Sequence, residues 1–355
     1  MTRSALCAVA AVSVAFLGAS PLRAETKPDV GSLAAGPVSV AATPITSFNR
    51  IGGSETQFGK LEFRGGLVLT APDARNFGGW SGLALDADGK RFVAVSDAGV
   101  WMTGAIAYDG ARPAKLTDTR MGPILAQDGK PLKRNRDRDA EAVALTSGSI
   151  ASGTLMIAFE QNSRIARYDI GGDGLSAARS FLVKPNALRN MRRNNGLEAM
   201  TILKGGPLKG STIAMSERLY DSARNHTGWI WTGDDAQAFH LTNIGDFDVT
   251  DAASDDDGTL YVLERRFRWL EGVKMRVRRV PAGELRPGQT AEGEILIEAN
   301  LEQEIDNMEG LAITRGESSE TILTMISDDN YNHFLQRTLL LQFSLKDTQT
   351  AKTRP

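Results

Sequence analysis

The chain has 355 residues, 41% of them apolar, with 41 Lys and Arg against 43 Asp and Glu, which suffices for one large domain or two ordinary ones. That balance excludes a global basic face for nucleic acid and a polybasic membrane anchor. The only cysteine, Cys7, lies in the N-terminal apolar run, so the rest of the chain must be held by a core rather than by disulfides.

Thr2 and Arg3 precede an uncharged run from Ser4 to Pro21, its apolar core is Ala5 to Leu17, and Leu22-Arg23-Ala24 ends on a small residue. This layout predicts a secretory signal peptide over 1–24, too short in its core to span a bilayer, with an uncleaved anchor as the alternative. The expected location is the periplasm or the exterior. Once the leader is removed, no integral membrane segment is expected. Residues 25–58, rich in Pro, Gly, Ser, Thr and Ala, read as a flexible linker with one short extended segment. Lys60 to Thr70 reads as a strand with no hairpin of its own.

From here a unit repeats. Trp80 to Ala84, Ala140 to Ala144, Leu197 to Thr201, Phe247 to Asp251 and Asp306 to Ala312 share a short apolar pattern opened by one polar residue: Ser81, Glu141, Glu198, Asp248 or Glu309. The steps between these are 60, 57, 50 and 61 residues, a period that signals a repeat architecture. Each unit continues into a second apolar run closing on an acid, namely Asp97, Glu160, Glu217, Glu264 and Asp328. The turn chemistry between the two runs, as in Asp86-Ala87-Asp88-Gly89 and Asp255-Asp256-Asp257-Gly258, predicts a hairpin. Two more strands follow in the middle units, at Arg164 to Ile170 and Arg179 to Val183, Gly228 to Thr232 and Gln237 to Thr242, and Lys274 to Val280 and Glu294 to Glu298. After Asp328 only Thr338 to Leu345 remains, followed by a polar tail over 347–355.

Four antiparallel strands per unit predict an all-β fold, a β-propeller of five blades over residues 59–346. A sixth blade is the alternative if Val38 to Thr70 holds four strands. The lone strand at Lys60 to Thr70 would complete the last blade. In such a ring the first strand lines the channel and the second returns beside it, so both acid rows should meet on one face. Burial and mutual repulsion would raise the pKa values of carboxylates gathered there, so cations must compensate. Arg218 and Arg265, each following a closing acid, offer one solution; a hard metal ion is the other, because oxygen-only ligands suit calcium.

The stretches Gly79-Trp-Ser-Gly-Leu-Ala84, Val95-Ser-Asp97, Arg138-Asp-Ala-Glu141, Asn195-Gly-Leu-Glu-Ala199, Ser216-Glu-Arg218, Leu263-Glu-Arg265, Asp306-Asn-Met-Glu-Gly310 and Ser327-Asp-Asp-Asn330 together resemble the phytase-like domain family, also called esterase-like activity of phytase. The resemblance runs from about residue 76 to 345 and implies an exported bacterial propeller whose name is borrowed from phosphomonoester hydrolysis. This chain has Asp139-Ala140-Glu141 where the family often has Asp-Pro-Glu, and Asp328-Asp329-Asn330 where it often has Asp-Asn-Asn; neither change removes a carboxylate.

The expected function is hydrolysis of a small-molecule ester or phosphoester at the acidic face. Calcium would be held by Glu141, Glu198, Asp248 and Glu309, and Glu309, Glu198, Glu217, Arg218 and Arg265 would form the catalytic set. Arg138, Arg193, Asp97, Asp328 and Asn330 would contact substrate, the arginines by paired hydrogen bonds to phosphate oxygens. A non-catalytic envelope propeller that binds a ligand or protein partner is the alternative. No Gly-x-Ser-x-Gly elbow supports a serine esterase, and Asp246-Phe-Asp-Val-Thr250, which copies a phosphatase nucleophile motif, falls in the repeat register instead.

Overall fold

The computed structural model describes residues 27–186 and 196–346. The expected leader, the polar tail, and Arg193 lie outside the described residues. Five largely antiparallel sheets form, each led by one hairpin of the repeat. Their innermost strands are Trp80–Leu85, Ala140–Ser149, Leu197–Ile202, Asp248–Ser254 and Asn307–Arg315. Each inner strand touches the inner strand of the next sheet, and the fifth touches the first, so they surround one axis. The chain is therefore a five-bladed β-propeller.

The reason lies in which side chains each strand must hide. Inner and second strands are buried on both faces along most of their length and carry apolar runs, as in Arg91–Ser96 and Thr321–Asp328. Five apolar clusters result, and each lies between neighbouring blades rather than within one: Tyr261 and Met275 of blade four meet Ile313 and Leu323 of blade five, and Phe92 and Ala94 of blade one meet Ile326 and Leu340 of blade five. Such a unit cannot bury its faces alone, which is why the repeat closes into a ring. Turn glycines take the left-handed backbone the hairpins need, with φ of 70° at Gly89 and 86° at Gly258.

Two expectations need correction. Residues 27–58 do not form a bare linker: Gly36–Pro37 pairs with the edge of blade one, Ala41–Ile45 and Gln57–Phe58 pair with Leu61–Thr70, and Val30 and Phe48 are fully buried. Their apolar side chains cover sheet edges and faces that would otherwise meet water. The same pairing means that Val38 to Thr70 adds strands to sheets already present instead of making a sixth. Leu61–Thr70 itself pairs antiparallel with Thr338–Leu345, the third strand of blade five. Trp269 stands 88% exposed at a hairpin tip. No helix among the described residues is long and apolar enough to cross a membrane.

Candidate functional site

Every inner strand carries a β-bulge near its start, and the extra residue it accommodates is Ser81, Glu141, Glu198, Thr250 or Glu309. A bulge re-aims the side chain it frees, here toward the channel mouth. In blade four the bulged residue is Thr250, not Asp248, so the repeat read from sequence slips by two residues there. The opposing second strands then show a matching result. The residue after the one paired at each bulge is Asp97, Glu160, Glu217 or Asp328 in four blades, and Arg265 in the fourth. Strand side chains alternate between faces, so a one-residue offset sends Glu264 away from the mouth. Glu264 is completely buried, bonded to Arg278 at 2.5 Å with Arg276 at 3.7 Å.

Glu141, Glu198 and Glu309 therefore share one electrostatic neighbourhood with Asp97, Asp139, Glu160, Glu217 and Asp328. Burial, then the charges of their neighbours, pushes Glu141, Glu198 and Asp328 well above the usual carboxylate range. Asp97 is pushed up to about 6, chiefly by burial and against the pull of Lys27. Glu160 rises to about 7 through burial and the charge of Asp139, and Glu217 to about 7 through burial, opposed by Arg218 and reinforced by Asp248. Two carboxylate trios, Asp139 with Glu141 and Glu160, and Glu160 with Glu198 and Glu217, each bring oxygen atoms within 4.8 Å of one another. Glu160 belongs to both.

Cations answer only part of this charge. Arg265 places its guanidinium 2.5 Å from the Asn307 side-chain oxygen, 3.8 Å from Glu309 and 3.8 Å from Glu217. Arg218, half exposed, reaches Glu217 at 3.1 Å and Asp248 at 2.7 Å. Asp248 also accepts a hydrogen bond from Tyr220 at 3.3 Å, so it anchors the rim arginine and lies in neither trio. Lys27, within the segment expected to be a linker, inserts its ammonium between Asp97 and Asp139. No motif marks it; its only sequence signal is being a basic residue just ahead of a buried Val30.

The remaining expected residues separate. Arg138 is only 4% exposed, and its Nε has no hydrogen-bond partner among the described residues. Asn330 is exposed with φ of 48°, its backbone N–H donating to Asp328 at 2.6 Å, so it shapes the turn beneath that acid. Asp329, absent from the expected set, is fully buried and ties blade five to blade one by accepting from the Gly79 N–H at 3.0 Å and the Thr338 hydroxyl at 2.8 Å. Asp251, which follows the blade-four bulge, likewise accepts from the N–H groups of Ala252 at 2.8 Å and Leu311 at 2.7 Å. In two of the other blades that position is glycine: a Cβ on Gly82 would lie 2.9 Å from Ala142 Cα, and one on Gly310 would lie 3.1 Å from the Leu83 nitrogen. Close backbone approach around the axis thus accounts for those glycines.

A cluster of oxygen donors without histidine or cysteine suits a hard cation, and the burial and mutual repulsion that push up Glu141, 7% exposed beside Asp139, are what such an ion would relieve. Calcium thus fits the residues present.

Fold and mouth together define a β-propeller whose channel opens through a ring of carboxylates. The family profile described as "Phytase-like: Esterase-like activity of phytase" matches residues 75–331, and the chain belongs to that family. No curated protein matches. Similar solved structures include one described as a thermostable family-43 glycoside hydrolase, with TM-score 0.47 and 9% identity over 80% of this chain and 97% of that chain. Another is described as the Dos1 propeller, with TM-score 0.36 and 10% identity over 85% of this chain and 83% of that chain.

Proposed function

We propose that the protein is an exported hydrolase of small-molecule phosphoesters or carboxylic esters, working at the carboxylate mouth. The observation that carries this reading is the pair Glu160 and Glu217, both pushed to about 7 within the same ring. A carboxylate poised near neutral pH can take a proton from an attacking water and return it to a leaving oxygen. Glu217 is the residue we assign to that exchange, because Arg218 and Arg265 flank it and would hold the anionic oxygens of a substrate beside it. Arg138 and Arg193 are assigned to further phosphate oxygens, with Arg138 favoured by its unpartnered buried Nε. Glu309 holds Asn307 at 2.7 Å and, through it, the orientation of Arg265.

Calcium, held by Glu141 with Asp139 and Glu160, would supply Lewis-acid polarisation of the ester oxygen and leave Glu217 free for proton exchange. Asp97 and Asp328 line the mouth on the side of blades one and five and would limit the negative charge a substrate can carry there. Family membership supports the hydrolytic class, and the leader-like residues 1–24 support export.

The test is turnover of phytate, p-nitrophenyl phosphate and short acyl esters by purified protein, with calcium and then with chelator. Hydrolysis of at least one substrate is expected, falling roughly a hundredfold or more in Glu217→Gln, the usual contribution of a positioned acid or base. No turnover with any substrate refutes the enzyme reading, and binding without turnover by calorimetry would replace it with ligand capture.

A further inference from the structure

Lys27 reaches residues far away in sequence. Its ammonium contacts the Asp139 carboxylate, the Asp97 carboxylate at 3.0 Å and the Asp97 carbonyl at 3.3 Å. Both carboxylates are more buried than the lysine, whose side chain keeps 27% of its exposure against 2% for Asp139. Burial opposes the charge of Lys27, yet Asp97, Asp139 and Glu141 outweigh burial and hold it protonated. The lysine hangs from a strap docked on blade one. Val30 is buried in the cluster with Phe77 and Trp80, Asn76 donates to the Asp29 carbonyl at 3.3 Å, and Gly36–Pro37 pairs with Arg120 and Met121. Only Pro28 and Asp29 separate the lysine from Val30, so the contact can break while the strap stays anchored.

Asp139 has two claims on it. It shares Lys27 with Asp97 and is also one of the trio with Glu141 and Glu160. Glu141, the third member of that trio, is nearly as buried and has no hydrogen-bond partner among the described residues; burial and its neighbouring carboxylates push it up while Lys27 pulls it down. An ammonium and a divalent ion cannot both hold one carboxylate at close range without repelling each other. We propose that Lys27 is an intramolecular occupant of the cation site, and that a divalent cation binding Asp139, Glu141 and Glu160 expels it and frees the N-terminal strap from the mouth. This rests on reading the mouth as a divalent-cation site. It assigns the strap a function of its own: with Lys27 in place the site tolerates low cation, and with Lys27 out the route to the carboxylates on the blade-one side is open.

The test compares the full chain with Lys27→Met, which keeps the aliphatic stem and removes the charge, and with Lys27→Arg, which restores charge. Calcium chloride is titrated by calorimetry while hydrogen exchange follows the amides of residues 29–37. An apparent dissociation constant about tenfold lower in Lys27→Met is expected, the ratio when the strap holds the site in about nine molecules of ten. Lys27→Arg should return toward the wild-type constant, and saturating calcium should speed exchange across 29–37 in the wild type. Calcium binding of equal affinity in wild type and Lys27→Met overturns the inference alone. Absence of calcium binding in all three proteins overturns it together with the cation reading beneath it.

Discussion

Raising the pH should weaken this protein. Glu160 and Glu217 sit at about 7 in the folded chain, above the ordinary glutamate value they regain on unfolding. Between those limits the folded state holds protons that the unfolded state has released, so stability is fully present below about pH 4 and falls as the pH climbs toward about 7. Both side chains are 7% exposed, so solvent screening is small. Moving one such group from the ordinary glutamate range to about 7 corresponds to about 3 kcal/mol. The two share neighbours and titrate together, so about 3 to 5 kcal/mol is the combined expectation. For a domain of this size that means a fall in Tm of roughly 5 to 8 °C. Scanning calorimetry in chelator from about pH 5 to about pH 8 reads it, with a second series in calcium, where a bound cation would favour the ionised carboxylates and flatten the curve. A Tm in chelator that is constant or rises over this interval would refute the picture of crowded, desolvated acids.

Asp251→Ala should cost about 3 kcal/mol in chemical denaturation, because it strands the buried N–H groups of Leu311 and Ala252; a loss under about 1 kcal/mol would show that those amides find other partners. Arg278→Met should cost about 3 to 5 kcal/mol by leaving Glu264 buried, and adding Glu264→Leu should recover much of that loss; if the double variant is no better than the single, burial of the carboxylate is not the cause. Arg265→Gln should raise KM for phosphoesters roughly tenfold or more, with a smaller change for neutral acyl esters; equal effects on both would remove Arg265 from anion recognition.

The ring was legible in the sequence because its signal is carried by the most constrained residues. Inner and second strands are buried on both faces, so their apolar runs recur at each blade, and Gly82 and Gly310 mark the close approach of backbones. Blade four shows where such reading stops. Asp248 and Glu264 matched the repeat by residue type, yet the bulge falls at Thr250 and the mouth receives Arg265. Strand alternation makes a small misalignment decisive, and residue type alone does not fix the bulge. Outer strands were harder still: the predicted Arg179 to Val183 shrinks to Ser180–Phe181. Residues 27–58 looked like a linker because Pro, Gly, Ser and Thr are interspersed among their apolar side chains, although Val30 and Phe48 find core sites. The contact of Lys27 with Asp139 spans 112 residues and follows from no local pattern.

Anomalous scattering from crystals grown in calcium tests the account most directly. An ion is expected among the carboxylates of Glu160 and its neighbours Glu198 and Glu217 or Asp139 and Glu141, lost in Glu160→Gln, the residue both trios share. A mouth that binds no ion in saturating calcium, with its carboxylates answered by Arg265, Arg218 and Lys27 alone, would contradict it.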